Sequence, residues 1–378
     1  MRSRKIRVLI VDDSRMARTV IHRMLKGSDR IEVVGEAENP YQAKDRIMEL
    51  KPDVMTLDLE MPRMDGLTFL SIVMDRRPMP VIVVSTLTQM GSAKALEALR
   101  RGAFDILAKP EKSSRIAELS DELIQKVMAA GEASLGRLVH AHRPSYSKLS
   151  SVEPASSTDT PYDPKKVIAL GASTGGTEAL GRFLAVMPTT SPPIVIAQHI
   201  PARFSGPFAR RLNQRSAVHV IEAKDGDLLL PGFALVAPGG KHLVVEGDAN
   251  RRFVRLTSAP PEHYQRPSVD VLFRSVARSV GPNAVAALLT GMGKDGAKGL
   301  LKIRQQGGAT IAQDEDSCVV YGMPAAAVAL GAVQETVSLD NLSAVVLKNC
   351  SVPIKDKESS CRGMYRRLKS EDYLAHVN

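Results

Sequence analysis

The chain has 378 residues, 44% of them hydrophobic and 4% aromatic, with 51 Lys and Arg against 41 Asp and Glu for a formal net charge of +10. That length suits about two or three packed domains and excludes a disordered or fibrous chain. The positive balance comes without tryptophan and without a dense basic block carrying stacking side chains, so nucleic acid is not the expected partner; an odd set of three cysteines without metal-ligand spacing fits a reduced, cytoplasmic setting.

In chain order, the first apolar run, IRVLIV at 6–11, stops at Asp12 and Asp13. It is too short for a signal-peptide core, and no later run has bilayer length, so neither export nor membrane insertion is expected. A helical face follows at Met16, Val20, Ile21, Met24 and Leu25, then a strand IEVVGEA, a helix near 41–50 and a strand DVMTLDL. A helix at 66–75, a strand VIVVST, a helix at 92–101, a strand FDILA and a helix at 116–130 complete the series. Five strand and helix pairs with short connections predict a doubly wound parallel sheet with its ligand crevice at the carboxyl ends of the strands.

Asp12 and Asp13 end the first strand, Asp58 the third, Thr86 the fourth and Lys109 the fifth, which that topology gathers into one crevice. Clustered carboxylates favour a hard divalent cation, Mg²⁺ best, which could steady a phosphoryl group on one of them. Taken singly, each acidic residue is better read as a solvated strand cap. Together the DD pair, LDLEMPRMDG, VIVVST and the KP pair resemble a response-regulator receiver domain. The resemblance implies that Asp58 accepts a phosphoryl group from a histidine kinase, that Asp12, Asp13 and Asp58 hold Mg²⁺, and that Thr86 and Lys109 couple phosphorylation to shape. Ile106 stands where such domains often carry an aromatic residue, which puts an aromatic rotamer switch in doubt.

Between 132 and 164 the periodicity dissolves into Ser, Thr, Pro and scattered charge, the composition of a linker. A second alternating series follows: KVIALG, PIVIAQ, AVHVIEA, a Gly/Pro-rich strand region FALVAPGGKHLVVEG, a helix at 269–280, AVAALLTG, a helix at 297–305 and ATIAQD. It predicts another open α/β sheet, with a hairpin near 243–256. Past 342 the pattern weakens into a polar tail, 343–378, with no assigned role.

The loop LGASTGG at 170–176 sets Ser173 between a strand and a helix with the G-x-S-x-G spacing of a nucleophile elbow. The same loop also suits an anion at a helix N-terminus. A serine nucleophile needs a base and an orienting acid. His199, closing the next strand, is the leading base; His219, His242 and His263 are less well placed. Asp295, in the glycine-rich turn after AVAALLTG, is the leading acid, with a helix cap as its other reading and with Asp270 and Asp314 as further candidates. The order Ser, His, Asp differs from that of the α/β-hydrolases. Thr174, Gly175 and Met292 are candidate oxyanion donors through their backbone N–H groups.

The runs ALGASTGG, IAQHIPARFSGPFARRL, EAKDGDLLLPG, VAPGGKH, PSVDVLFRSVA and LTGMGKDGAKGL are similar to the catalytic domain of the chemotaxis protein-glutamate methylesterases, the CheB family. With the receiver they cover the chain from about residue 6 to 331 in the family's domain order. The resemblance implies a receiver at 1–131, a linker at 132–164 and a methylesterase domain at 165–342, with Ser173 as nucleophile, His199 as general base and acid, and Asp295 as orienting carboxylate. It implies γ-methyl glutamate esters of methyl-accepting chemotaxis receptors as substrates, glutamine deamidation as a second activity, a chemotaxis histidine kinase as phosphodonor and no cofactor in the catalytic domain. Two other readings remain at this stage: a DNA-binding effector behind the receiver, and a phosphate-binding or scaffolding module without catalysis.

Overall fold

The structure is a computed structural model that describes residues 4–85, 89–109, 116–133 and 162–352. Thr86, most of the expected linker and the end of the chain lie outside the described residues.

The N-terminal half alternates β1 (Ile6–Val11), α1 (Arg15–Leu25), β2 (Ile31–Ala37), α2 (Pro40–Leu50), β3 (Val54–Leu57), α3 (Gly66–Arg76), β4 (Val81–Ser85), α4 (Gln89–Arg100), β5 (Asp105–Ala108) and α5 (Ile116–Glu132). The strands β1, β3 and β4 are almost wholly buried apolar runs, as a sheet covered by helices on both faces requires. Ser14, Asn39 and Asp65 cap α1, α2 and α3, their side chains accepting from the N–H of Ala17, Gln42 and Thr68. All five strands are parallel, in the order β2-β1-β3-β4-β5. The order reverses between β1 and β3, and a crevice opens there beyond the carboxyl ends of those strands.

The second half runs β6 (Val167–Ala172), α6 (Gly176–Ala185), β7 (Ile194–Gln198), α7 (Ser205–Asn213), β8 (His219–Glu222), β9 (Phe233–Val236), β10 (His242–Gly247), β11 (Arg252–Thr257), α8 (Val269–Ser279), β12 (Ala284–Leu288), α9 (Ala297–Gln305), β13 (Ala309–Gln313), α10 (Met323–Ala329), β14 (Glu335–Val337) and α11 (Leu339–Cys350). Seven of these strands form a parallel sheet, β14-β13-β12-β6-β7-β9-β8, and β10 and β11 form the expected hairpin beside it. The central strands β6, β7 and β12 are buried throughout, so their ends are rigid mounts for a site.

Two boundaries differ from the sequence reading. Helix α11 crosses the expected end at residue 342 and continues to Cys350, because Leu342, Val346 and Cys350 are fully buried. At the other side, Tyr162 bridges to Ser351 and the Asp163 N–H donates to the Cys350 carbonyl, so this body begins before residue 165.

The halves pack on each other. Val319 is buried inside the apolar cluster of β1, β4 and α5, and Met292 and Val320 lie against that cluster. Arg211 of α7 donates to the Leu96 carbonyl of α4 at 2.7 Å, and the Thr174 hydroxyl donates to Asp105 at the start of β5 at 2.5 Å.

Candidate active site

Strand β6 ends at Ala172, and the chain turns sharply at Ser173, whose N–H donates to the Thr290 carbonyl at 3.0 Å. Gly175 sits at φ +78° at the head of α6, and a Cβ there would come within 2.7 Å of Val319, so both the turn and its packing demand glycine. His199 follows β7 directly. Because β6 and β7 pair with Ala172 opposite Gln198, Ser173 and His199 are the next residues beyond two adjacent strand ends. The His199 N–H donates to the Ala172 carbonyl at 3.0 Å, which ties the two ends together.

Ser173 Oγ lies 3.1 Å from His199 Nδ1, and His199 Nε2 lies 2.8 Å from Asp295 Oδ2. Asp295, 1% exposed, follows β12, the strand on the other side of β6. Its carboxylate is held by the N-terminus of α8: Oδ1 accepts from the Ser268 hydroxyl and the Asp270 N–H, both at 2.9 Å, and Oδ2 from the Val269 N–H at 2.7 Å. Burial pushes this carboxyl up, but the hydrogen bond and charge of His199, with the backbone N–H groups of Asp270 and Val269, outweigh it and hold the group at about 2. Asp295 is therefore an anion at any working pH. An anionic Oδ2 fixes the imidazole proton on Nε2 and leaves the Nδ1 lone pair for the serine hydroxyl. The two ring nitrogens face the opposite partners from those in the chymotrypsin arrangement.

The alternative residues have other employment. His219 packs its ring on Phe233, and His242 is buried between the Pro260 carbonyl and the Ser268 N–H. His263 lies 3.1 Å from Asp270, and Asp270 in turn accepts from the Gly299 N–H at 2.6 Å, one layer behind Asp295. Burial and the nearby charge of Asp295 push the Asp270 carboxyl up. Asp314 accepts from Ser317. The N–H groups of Thr174, Gly175 and Met292 meet no acceptor among the described residues, whereas the Gly291 N–H is spent on the Val320 carbonyl. Gly291 itself packs against Ser173, since a Cβ on it would lie 2.7 Å from the serine Cβ.

In the first half, Asp12, Asp13 and Asp58 bring carboxylate oxygens within 4.8 Å of one another. Lys109 Nζ lies 2.8 Å from Asp12 and 2.9 Å from Asp58. Burial and the Asp12 charge push the Asp58 carboxyl up against the opposing pull of Lys109. Asp58 Oδ1 is buried without a hydrogen-bond partner, so a cluster of three carboxylates with this oxygen unspent fits a hard cation. Thr86 falls outside the described residues. Ile106 is buried, and its carbonyl accepts from Lys126.

Sequence reasoning missed Ser268, Gln198, Thr290 and the interdomain partner Asp105. Only Ser268 carried a signal, as the N-cap of a predicted helix.

Residues 168–346 match the family model described as CheB methylesterase, and residues 8–121 match the response regulator receiver domain model. The chain is 46% identical over 91% of its length to a protein-glutamate methylesterase/protein-glutamine glutaminase 2 of Syntrophus aciditrophicus, spanning 99% of that protein. It is 48% identical over 91% of its length to the corresponding protein 4 of Anaeromyxobacter dehalogenans, spanning 95% of it. Among solved structures, the CheB methylesterase catalytic domain of Thermotoga maritima is 35% identical, covering 48% of this chain and 97% of that one with a TM-score of 0.48.

Proposed function

The chain belongs to the CheB family of protein-glutamate methylesterases, with a receiver domain ahead of the catalytic one, and we propose that it hydrolyses glutamate γ-methyl esters on methyl-accepting chemotaxis receptors by a Ser173 acyl-enzyme. The observation that carries this reading is the unbroken chain Ser173 Oγ, His199, Asp295, with contacts of 3.1 and 2.8 Å. In the first step Ser173 Oγ bonds to the ester carbonyl carbon while its proton passes to His199 Nδ1. The tetrahedral intermediate then expels methoxide, which takes that proton and leaves as methanol. Water, deprotonated by the same nitrogen, attacks the acyl-enzyme; the C–Oγ bond breaks, the serine recovers its proton, and glutamate is released. A glutamine side chain passes through the same steps with ammonia as the leaving group. The free N–H groups of Thr174, Gly175 and Met292 are the proposed donors to the oxyanion.

Control runs through Asp58. Phosphoryl transfer from a chemotaxis histidine kinase to Asp58 would use Mg²⁺ held by Asp12, Asp13 and Asp58, the ion neutralising charge on the phosphoryl oxygens. Lys109 then exchanges a carboxylate partner for phosphoryl oxygens, with Thr86 as the proposed hydroxyl donor. Lys109 closes the strand whose first residue, Asp105, binds the hydroxyl of the residue after the nucleophile. We read the receiver as a cover over the catalytic crevice, loosened when that strand is disturbed. No helix among the described residues is long and apolar enough to cross a membrane, and a cytoplasmic enzyme acting on receptor helices fits this design. The working division is a receiver through residue 131 and a catalytic unit from Tyr162 to Ser351.

The test is methanol release from methylated receptor by the full chain, with and without a small-molecule phosphodonor. Phosphodonor should raise the rate of wild type, and Asp58→Asn should abolish that rise while keeping the basal rate. Asp105→Ala should raise the basal rate about tenfold without phosphodonor, the value of one hydrogen bond to a charged group. Equal basal rates in Asp105→Ala and wild type would remove the cover from the account.

A further inference from the structure

Gln198, the last residue of β7, is buried and has no part in the chemistry described above, yet its carboxamide lies under the nucleophile. Its Nε2 donates to the Ser173 carbonyl at 2.9 Å and to the His199 carbonyl at 3.0 Å. Both neighbours are acceptors, so the amide nitrogen must face them and the assignment of Nε2 is forced by chemistry. Its Oε1 is buried without a partner and lies 2.3 Å from where a Cβ on Gly176 would stand, so the glycine leaves the room the carboxamide occupies.

The consequence follows from peptide geometry. In a trans peptide the C=O and the following N–H lie in one rigid plane and point in opposite directions within it. The Ser173 carbonyl is pinned inward by two donors, Gln198 Nε2 and the Gly176 N–H at 2.7 Å. The N–H that points away from that carbonyl belongs to Thr174, and among the described residues it meets no acceptor. The second donor bond, to the His199 carbonyl, fixes the peptide group after the base with the same side chain. We infer that Gln198 is a positioning residue for the hydrolysis: it orients the Ser173–Thr174 peptide so that the Thr174 N–H meets the oxyanion. This inference rests on Ser173 being the nucleophile.

The experiment compares wild type, Gln198→Met, Gly176→Ala and Ser173→Ala as full chains activated by a small-molecule phosphodonor. It measures kcat and KM on methylated receptor and the affinity for a boronic-acid analogue of the glutamyl ester, whose tetrahedral adduct places an oxygen where the oxyanion forms. Gln198→Met removes both donor bonds at nearly constant volume; Gly176→Ala displaces the carboxamide with Gln198 intact. Each should lower kcat and boronate affinity together, on the order of tenfold to a hundredfold, somewhat less than loss of an oxyanion donor itself, and leave KM within about twofold. A packing role alone would not weaken the tetrahedral analogue while sparing the substrate. Wild-type kcat in both variants beside an inactive Ser173→Ala overturns the role of Gln198. An active Ser173→Ala overturns instead the nucleophile on which it rests.

Discussion

Ser173→Ala in the full, phosphodonor-activated chain is expected to lower methanol release from methylated receptor by about four to six orders of magnitude, with receptor binding intact. The size follows from how the site is built. Ser173 and His199 are the residues next after two paired strand ends, and among the described residues no other hydroxyl is bonded to the imidazole. Water in the space left by Oγ would meet the base but would lack a covalent tie to the fold, and the two-step route through an acyl-enzyme would be lost. The change removes one half-buried oxygen, so the packing of the two halves on each other should persist. The comparison of kcat with KM separates lost chemistry from lost binding: only kcat should move.

Asp295→Asn has the second largest expected effect, about 10⁴-fold in kcat. Four donors converge on this carboxylate: the Ser268 hydroxyl, the Val269 and Asp270 N–H groups and His199 Nε2. An asparagine offers one acceptor oxygen and one NH₂ to a site made wholly of donors. If the NH₂ faces His199, the ring proton moves to Nδ1, and the nitrogen beside Ser173 then donates where it should accept. Geometry survives while the base is lost. The pH dependence sharpens the point. Since the Asp295 carboxyl is held at about 2, it stays ionised through the working range. For stability, a carboxyl lowered from its ordinary 3.8 contributes above that value, and the contribution is lost as pH falls through about 2. Asp295→Asn should therefore flatten the unfolding free energy below pH 4, as measured by denaturant titration.

Most of the fold was legible in the sequence because both sheets are parallel and covered on two faces. Such strands read as short unbroken apolar runs, and α9 begins and ends at the residues its periodicity indicates. Helix α11 was cut short in the reading because its stripe of Leu339, Leu342, Val346 and Cys350 is narrow and interrupted by Asn, Ser and Lys. Ser173 and His199 could be paired from sequence because adjacent strands place their ends side by side. Asp295 was harder: locally it reads equally well as a helix cap, and its role is decided by the N-terminus of α8, supplied from 25 residues earlier in the chain. Asp105 and Gln198 carried no signal at all. One is an ordinary first residue of a strand and the other an ordinary last one, and their partners are set by domain packing and by the turn of a peptide plane. The receiver does not front a helix-turn-helix; a seven-stranded parallel sheet stands where a DNA-binding effector would be.

The central claim, a serine activated by the His199–Asp295 pair beneath a receiver, is met most directly by covalent labelling. The full chain is incubated with a receptor-derived phosphonate ester, with and without phosphodonor, and the modified residue is mapped by mass spectrometry as a function of time. The account predicts modification at Ser173 Oγ, faster with phosphodonor and absent in Asp295→Asn on the same timescale. Modification at another residue, or labelling of Ser173 at one rate in all three samples, would contradict it.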